Sequence, residues 1–232
     1  MDRVLIGAAT SNSGKTTFTI GLLRALRDRG MNVQPYKCGP DYIDTMFHAI
    51  ASGHESVNLD TFLASPQHVE EIFQHYGTDA DVRVVEGVMG LYDGYDRWRG
   101  SSAEMAELLH LPVVLVVNAK SAAYSVAPLI YGFRHFRSPG IAAVVFNQVA
   151  SPLHFEYLKE ACEDAGVTCL GYMARNERLV IPERHLGLTI SAREEMERLI
   201  ALAAEEVNLH VDIDNLLRLS NAKMQKCKNR KW

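Results

Sequence analysis

The sequence predicts an α/β fold, with a mostly parallel sheet and helices on both of its faces. Short runs rich in β-branched residues alternate with longer amphipathic stretches along most of the 232 residues. These runs are apolar on both faces, which is typical of parallel strands buried between two layers of helices. In such a sheet the ligand crevice lies at the carboxyl ends of the strands. We therefore expect the functional residues where the strands end.

The elements follow from the hydrophobic periodicity, taken in chain order. Six strands are predicted: Val4–Ala8, Asn32–Lys37, Val82–Glu86, Val113–Asn118, Ile141–Asn147 and Val167–Gly171. Six helices are predicted between and after them: Lys15–Arg29, Gln67–Tyr76, Ser102–Leu109, Ala122–Phe136, Leu153–Ala165 and Arg193–Glu206. The first helix stops at Gly30, because glycine readily adopts the left-handed conformation that ends a helix.

Composition narrows the class of protein. The chain is 47% apolar with a formal net charge of −4, so we expect one main domain and no general attraction to nucleic acid. No apolar segment approaches the roughly 20 residues of a membrane span. The four cysteines show no CxxC spacing and no secretory segment precedes them, which predicts a cytoplasmic protein. We assign residues 1–206 to the domain and 207–232, with their basic end, to a C-terminal extension.

A small turn rich in serine and threonine joins the first predicted strand to the first helix. It reads Ala9-Thr10-Ser11-Asn12-Ser13-Gly14-Lys15-Thr16-Thr17. Such a turn directs backbone N–H groups and a helix N-terminus at anionic oxygens. Lys15 would then reach the β- and γ-phosphates of a nucleotide, and the Thr16 hydroxyl would ligate Mg²⁺. The alternative is an ordinary helix cap with a solvated lysine, which the strand before and the helix after disfavour.

Two more loops carry polar residues at strand ends. Lys37 and Asp41 follow the second strand, where they would stand opposite the γ-phosphate, although a solvated turn fits this loop equally well. Glu86 ends the third strand, where nucleotide-hydrolysing folds keep an acid that positions Mg²⁺. Asp93 follows in the same loop, in an Asp-Gly pair that is also common in simple turns.

Together these blocks resemble the amino-terminal synthetase domain of the cobyrinic acid a,c-diamide synthase family, a branch of the dethiobiotin-synthetase-like P-loop NTPases. The resemblance runs from Val4 to about Leu188. It is carried by Ser11–Thr17, Gln34–Asp44, Asn58–Asp60, Glu86–Gly94 and Pro182–Leu188. It implies ATP- and Mg²⁺-dependent amidation of two carboxylates of a corrin precursor through acyl phosphates, with ammonia drawn from glutamine.

The resemblance also implies roles for individual residues. Lys15 and Lys37 would neutralise phosphoryl charge, and Thr16, Asp41 and Glu86 would organise Mg²⁺. Asn147 is the candidate adenine contact. The rest of the nucleotide site would be Asn12, Ser13, Gly14 and Thr17. The residues expected to face the corrin acid are Tyr42, Asp93, Arg184 and His185, the last two of which would otherwise belong to a solvated turn.

One departure concerns the source of ammonia. The family's full chain continues into a glutaminase domain with a cysteine nucleophile, whereas this sequence ends at Trp232. None of its cysteines, at positions 38, 162, 169 and 227, stands in a turn suited to a nucleophile. We therefore expect a fragment, or a chain that receives ammonia from a separate glutaminase. Because homodimers are common among relatives, we also expect that a partner copy could complete the site.

Other functions stay open at this point. A ParA/MinD-like regulatory ATPase would use the nucleotide to switch a dimer, but such proteins carry a lysine early in the loop, where this chain has Thr10. A second alternative is a related ligase that acts on another acid, such as dethiobiotin synthetase or a nickel-tetrapyrrole a,c-diamide synthase. The blocks around Asp41 and Arg184 favour a large tetrapyrrole acid without choosing the macrocycle. A chain that only binds nucleotide is the last alternative.

Overall fold

A computed structural model of the chain describes residues 2–137, 140–179 and 190–221, without the side chains of residues 190–192. The described residues form one seven-stranded sheet with the strand order β3-β2-β4-β1-β5-β6-β7, and all of its strand pairs are parallel. The strands are β1 (Asp2–Ala8), β2 (Val33–Cys38), β3 (Val57–Leu59), β4 (Val82–Glu86), β5 (Val113–Asn118), β6 (Ile141–Val149) and β7 (Thr168–Ala174). The predicted fold class is confirmed.

Eight helices are described around this sheet. They are α1 (Lys15–Asp28), α2 (Ile43–Ser52), α3 (Pro66–Tyr76), α4 (Ser102–Leu108), α5 (Val126–His135), α6 (Pro152–Asp164), α7 (Ile190–His210) and α8 (Ile213–Asn221). The core consists of two clusters, one on each face of the sheet. Helices α1, α2, α7 and α8 cover one face, and α3 to α6 cover the other.

Each of the six predicted strands and six predicted helices is present, β4 and β5 with the predicted bounds and the others with ends shifted by one or more residues. Helix α5 begins at Val126 and not at Ala122, because the preceding residues form turns in which Ala122 N–H bonds the Ala119 carbonyl and Val126 N–H bonds the Ala123 carbonyl. Three elements were missed. Strand β3 has only three residues, α2 begins directly after a Gly-Pro turn, and α8 lies in the segment assigned to the extension.

Helix α8 belongs to the packed part of the molecule. Ile213 and Leu216 are buried in the same cluster as α1 and α7, together with Val211 between the two last helices. The Asp212 N–H donates to the Leu170 carbonyl on β7, at 2.8 Å. The boundary expected after residue 206 thus falls inside α7, and the folded unit continues at least to Asn221.

The alternation of side chains along the strands decides which residues meet at the site. In β4, Val82 and Val84 lie in the cluster under α1 and α2, and Val85 lies in the opposite cluster. Because side chains alternate along a strand, Glu86 points to the α1 and α2 face. In β2 the same alternation places Lys37 on that face, and Lys37 is the direct register partner of Glu86.

Candidate functional site

The loop before α1 is held in shape by its own side chains and by β6. The Ser13 hydroxyl donates to the Thr10 carbonyl at 2.7 Å, and the Asn147 amide donates to the Ser13 carbonyl at 3.0 Å. Asn12 and Gly14 have left-handed backbones, with φ of 59° and 90°. A Cβ at Gly14 would overlap the Asn147 amide, so the close approach of β6 requires glycine there.

Helix α1 starts at Lys15 without a side-chain cap, and its first backbone bond runs from Phe18 N–H to the Gly14 carbonyl. The N–H groups of the first turn, which includes Thr16 and Thr17, have no partner within the helix. A loop that closes on itself in front of these N–H groups is the arrangement that binds phosphate oxygens. The strand and the helix predicted on either side of this loop are present, and phosphate binding by residues 12–17 stays a prediction.

Lys15 lies across the mouth of this loop. Its ammonium donates to the Met89 carbonyl at 3.2 Å, in the loop that follows β4. Burial lowers the pKa of Lys15 and the nearby Lys37 charge acts in the same direction, while the Glu86 carboxylate opposes both. A negative ligand would favour the charged form of this lysine.

Glu86 is the centre of the site. It is 0% exposed at the carboxyl end of β4. Its Oε1 accepts from the Thr16 hydroxyl at 2.7 Å and from the Lys37 ammonium at 3.0 Å. The structure thus brings together three of the residues predicted from separate motifs.

Two acidic groups share Lys37. Its Nζ lies 2.6 Å from Asp44 Oδ2 and 3.0 Å from Glu86 Oε1, and it also donates to the Gly87 carbonyl at 3.1 Å. Burial is the largest single effect and works against the charge, but Glu86 and Asp44 together raise the pKa of Lys37 above its ordinary value. The two carboxylates therefore favour the charged form of Lys37 at the strand ends.

Burial alone would raise the pKa of Glu86, but Lys37, His48 and Lys15 outweigh it and hold that pKa well below the usual range. The pKa of Asp44 is raised, first by burial and then by the Glu86 charge, against the opposing effect of Lys37. The cluster thus contains a firmly ionised acid, Glu86, next to one that is easier to protonate, Asp44.

Sequence reasoning missed His48 and gave Asp44 no role. His48 is 0% exposed on α2, and its Nε2 lies 2.7 Å from Glu86 Oε2, while its Nδ1 lies 3.0 Å from the Ser56 hydroxyl. A helix through residues 43–52 would have placed Asp44 and His48 four residues apart on one face. The segment was not recognised as a helix, and the signal was lost with it.

Asp41 and Tyr42 lie in the turn that leads into α2. Asp41 Oδ1 accepts from the N–H groups of Ile43 and Asp44, at 2.9 and 3.1 Å. The Asn58 amide donates to the carbonyls of Gly39 and Asp41, at 2.6 and 3.1 Å, and fixes the turn to β3. The described bonds of the Asp41 side chain are the two that Oδ1 accepts from backbone N–H groups, and its place on Mg²⁺ stays a prediction. Tyr42 is 78% exposed and is free to meet a large substrate.

The other predicted residues lie around the same edge of the sheet. Asp93 Oδ2 accepts from the Gly90 N–H at 3.2 Å and closes the turn after β4. The described side-chain bond of Asn147 is to the phosphate loop, and its contact with adenine stays a prediction. Arg184 and His185 lie outside the described residues.

The oxygen atoms at the loop fit Mg²⁺. The Thr16 hydroxyl and the Glu86 carboxylate are 2.7 Å apart, and both are hard oxygen donors of the kind that Mg²⁺ uses beside phosphate oxygens and water. In the described part of the chain, no group of three or more His, Cys, Asp or Glu side chains is arranged to hold a metal ion. A nucleotide-bound Mg²⁺ needs only one or two protein ligands, so this observation agrees with the Thr16 and Glu86 pair.

Cys38 lies next to Lys37 in sequence but on the opposite face of the sheet, in the cluster under α3 to α6. Burial raises the pKa of its thiol to about 12. A protonated, buried thiol is a poor nucleophile, in line with the expectation that Cys38 does not hydrolyse glutamine.

Among the helices described, none combines the length and the apolar character needed to cross a bilayer.

Comparisons with known proteins show which sequences this chain is similar to. A family profile for the CobQ/CobB/MinD/ParA nucleotide binding domain matches residues 4–188. The cobyrinate a,c-diamide synthase of Listeria innocua is 44% identical over 230 residues, which are 96% of this chain and 50% of that protein. The hydrogenobyrinate a,c-diamide synthase of Brucella ovis is 44% identical over 220 residues, 93% of this chain and 50% of that protein. The chain thus spans about half the length of these curated relatives.

Solved structures show a likeness in fold. The MinC:MinD cell division protein complex of Aquifex aeolicus contains a chain with a TM-score of 0.60 at 14% identity, covering 98% of this chain and 99% of that one. Chloroplast FtsY from Physcomitrella patens has a TM-score of 0.57 at 12% identity, over 86% of this chain and 65% of that one. At such identities the likeness concerns the fold alone.

Proposed function

The chain belongs to the family of CobQ/CobB/MinD/ParA nucleotide binding domains, and on this premise we propose that it uses ATP and Mg²⁺ to amidate the a and c carboxylates of a tetrapyrrole acid. The acid is cobyrinate or its metal-free counterpart hydrogenobyrinate, after which the relatives are named. The observation that carries the proposal is the buried Glu86 carboxylate, which contacts Thr16 of the phosphate loop and Lys37 of the neighbouring strand.

The proposed reaction has two steps. A substrate carboxylate oxygen attacks the γ-phosphorus of ATP, a P–O bond forms and ADP leaves. Ammonia then attacks the acyl carbon, phosphate leaves with the C–O bond electrons, and the nitrogen loses a proton. The protein's contribution to phosphoryl transfer is mainly positioning and charge stabilisation, so no covalent bond to the chain is needed.

The residues of the site suit these tasks. Lys15 at the loop mouth would bind the β- and γ-phosphate oxygens. Lys37, which stays charged because of Glu86 and Asp44, would stabilise the charge that develops on the transferred group. Thr16 and Glu86 would hold Mg²⁺, which screens the negative charge of the phosphates when it is bound. Asp41 would take the further place on Mg²⁺ that the sequence predicts, and Tyr42 and Asp93 would face the tetrapyrrole acid from the loops after β2 and β4.

The test is a turnover experiment with the purified chain. ATP, Mg²⁺, ammonium chloride and cobyrinic acid are supplied, and ADP and the two-fold amidated product are measured by mass spectrometry, with hydrogenobyrinic acid in a parallel reaction. We expect ADP and amide to form together. Release of ADP without any amide from either acid would contradict the ligase and favour a nucleotide-driven switch.

Ammonium replaces glutamine in this test because glutamine must be hydrolysed before its nitrogen is available as ammonia. We propose that ammonia normally comes from a glutaminase domain or subunit, and that the protein works in the cytoplasm, as a homodimer if a partner copy completes the crevice. Glutamine in place of ammonium should give no amide with this chain alone. Measurement of the mass in solution by light scattering, with and without ATP, tests the dimer.

A further inference from the structure

Helix α2 contributes a buried imidazole to the site. His48 and Glu86 are both 0% exposed, and their side chains lie 2.7 Å apart between α2 and the end of β4. The hydroxyl of Ser56, in the segment leading to β3, lies 3.0 Å from the other ring nitrogen. A histidine with both nitrogens engaged in the interior has a fixed ring orientation.

The two oxygens of Glu86 have different partners. Oε1 accepts from Thr16 and Lys37, on the side of the phosphate loop. Oε2 lies against His48 Nε2. Because an ionised carboxylate only accepts hydrogen bonds, Nε2 carries the proton of this contact, and the Ser56 hydroxyl is able to donate to Nδ1. His48 thus fixes the rotation of the carboxylate and leaves Oε1 directed at Thr16.

We propose that His48 is a positioning residue that orients Glu86 for Mg²⁺ and holds α2 in place beside the phosphate loop. The proposal rests on the Mg²⁺–nucleotide site proposed above. Hydrogen-bond partners of metal ligands tune metal affinity, and this partner also belongs to the helix that carries Asp44, the second acid on Lys37. The same contact therefore ties Glu86 to the helix that carries Asp44.

Two substitutions of similar polarity separate positioning from mere packing. In His48→Gln the side-chain amide extends about as far as Nε2 and is able to donate to Glu86. In His48→Asn the amide stands near the place of Nδ1, keeps a partner in Ser56 and does not reach Glu86. Ser52→Ala is the matched control, because Ser52 is buried on the same helix and donates to the His48 and His54 carbonyls without touching Glu86.

The readout is the binding of a fluorescent ATP analogue by the full chain at increasing Mg²⁺, and with EDTA. For His48→Asn we expect the Mg²⁺ concentration at half-maximal binding to rise about 10- to 100-fold, with Mg²⁺-free binding unchanged. His48→Gln should stay close to wild type. Ser52→Ala should lower the melting temperature and leave the Mg²⁺ midpoint in place.

Equal midpoints for wild type and a folded His48→Asn variant would overturn the proposal, as would an equal rise in Ser52→Ala. If His48→Asn does not fold, Ser56→Ala decides: it removes the hydroxyl that orients the ring, and an unchanged midpoint there contradicts the positioning role. The assay contains no tetrapyrrole and no ammonia. A chain that shows this His48 dependence but never forms an amide would overturn the proposed reaction and leave this inference standing.

Discussion

At the residue scale, the site is a compact arrangement of opposite charges in which most charged groups already have a partner within the chain. Lys37 lies between Glu86 and Asp44, and Glu86 also accepts from Thr16 and His48. Burying charges is costly unless each is paired and hydrogen-bonded, and here each acid has a partner. Lys15, whose pKa is lowered chiefly by burial, is the member of the cluster that most lacks a negative neighbour.

The first prediction concerns Lys15. Lys15→Ala should abolish ATP binding, because the loop loses the cation that we propose binds the β- and γ-phosphate oxygens, whereas the melting temperature of the variant should equal or exceed that of wild type. The gain is expected because a charge disfavoured by burial is removed. Isothermal titration with ATP and Mg²⁺ measures the first effect, and a thermal melt the second.

Lys159→Ala is the matched control for this substitution, since Lys159 is exposed on α6, on the other face of the sheet. It should bind ATP as wild type does. Full ATP affinity in Lys15→Ala would remove the phosphate-loop assignment.

A second prediction follows from the lowered pKa of Glu86. A carboxyl whose pKa is lower in the folded state stabilises the fold above its unfolded value, here 4.5, and loses that contribution as the pH falls through the folded value. Asp44, with its raised pKa, acts with the opposite sign, and burial, the largest cause of that rise, is present in both proteins of the comparison. The free energy of unfolding should therefore fall more steeply below pH 4.5 in wild type than in Glu86→Gln.

Urea unfolding at a series of pH values between 3 and 7, on the order of one unit apart, measures this difference. The gap between the two proteins should be constant at the upper end and shrink at the acid end. Parallel curves would show that Glu86 is not stabilised as a carboxylate.

At the element scale, α1 packs against α7 at a glycine. A Cβ at Gly21 would lie 2.6 Å from the Ala203 carbonyl of α7, so the two helix backbones approach too closely for any side chain. Helix propensity favours alanine over glycine by about 1 kcal/mol, but the overlap with backbone forces the helices apart. We expect Gly21→Ala to destabilise the fold by about 1–3 kcal/mol.

Gly132 gives the opposite sign and is the control. It lies inside α5, and a Cβ there would meet no atom within 4 Å. Gly132→Ala should stabilise by about 0.5–1 kcal/mol, the ordinary gain in a helix interior. Urea unfolding of both variants tests the pair, and equal signs would show that the α1–α7 contact is not close.

Helix α2 depends on Asp41 at its start. Because Asp41 Oδ1 accepts two backbone N–H groups of the first turn, Asp41→Ala should cost about 0.5–2 kcal/mol of stability, whereas Asp41→Asn should keep most of it. Both variants should lose amidation if the charge also serves the site. A fully active Asp41→Asn variant would limit Asp41 to capping.

The comparison with the sequence is instructive at this scale. Lys37 and Glu86 were found because strand ends are visible as apolar runs and because parallel strands align their carboxyl ends. Asp44 and His48 were missed because α2 follows a Gly-Pro turn that suggests a loop, and because only tertiary packing shows that Glu86 lies opposite residue 48. Strand β3 pairs in parallel with β2 over only three residues, too few for a periodicity to be recognised in the sequence.

At the scale of the whole molecule, the strand order explains how distant segments meet. Strand β1 lies between β4 and β5, so the phosphate loop stands beside Glu86 on one side and near Asn147, one strand further, on the other. Sequence reasoning predicted which strand ends carry chemistry but not their order, because order depends on crossovers that no local pattern records. The order is what turns separate motifs into one crevice.

The last prediction concerns the extent of the folded unit. A chain ending after residue 206 would lose Val211, Ile213 and Leu216, all buried in the core cluster, and the bond from Asp212 N–H to β7. Burial of three such side chains is worth about 1.5–3 kcal/mol each, a total that approaches the roughly 5–15 kcal/mol that holds a domain folded. We expect that shortened chain to lack a cooperative thermal transition, whereas a chain ending after residue 221 should melt close to the full chain in circular dichroism. Leu216→Ala, in the full chain, should cost about 2–5 kcal/mol. Equal melting temperatures for the chains ending after 206 and 221 would mean that α8 is an attachment to the domain, as the sequence alone suggested, and not a part of its core.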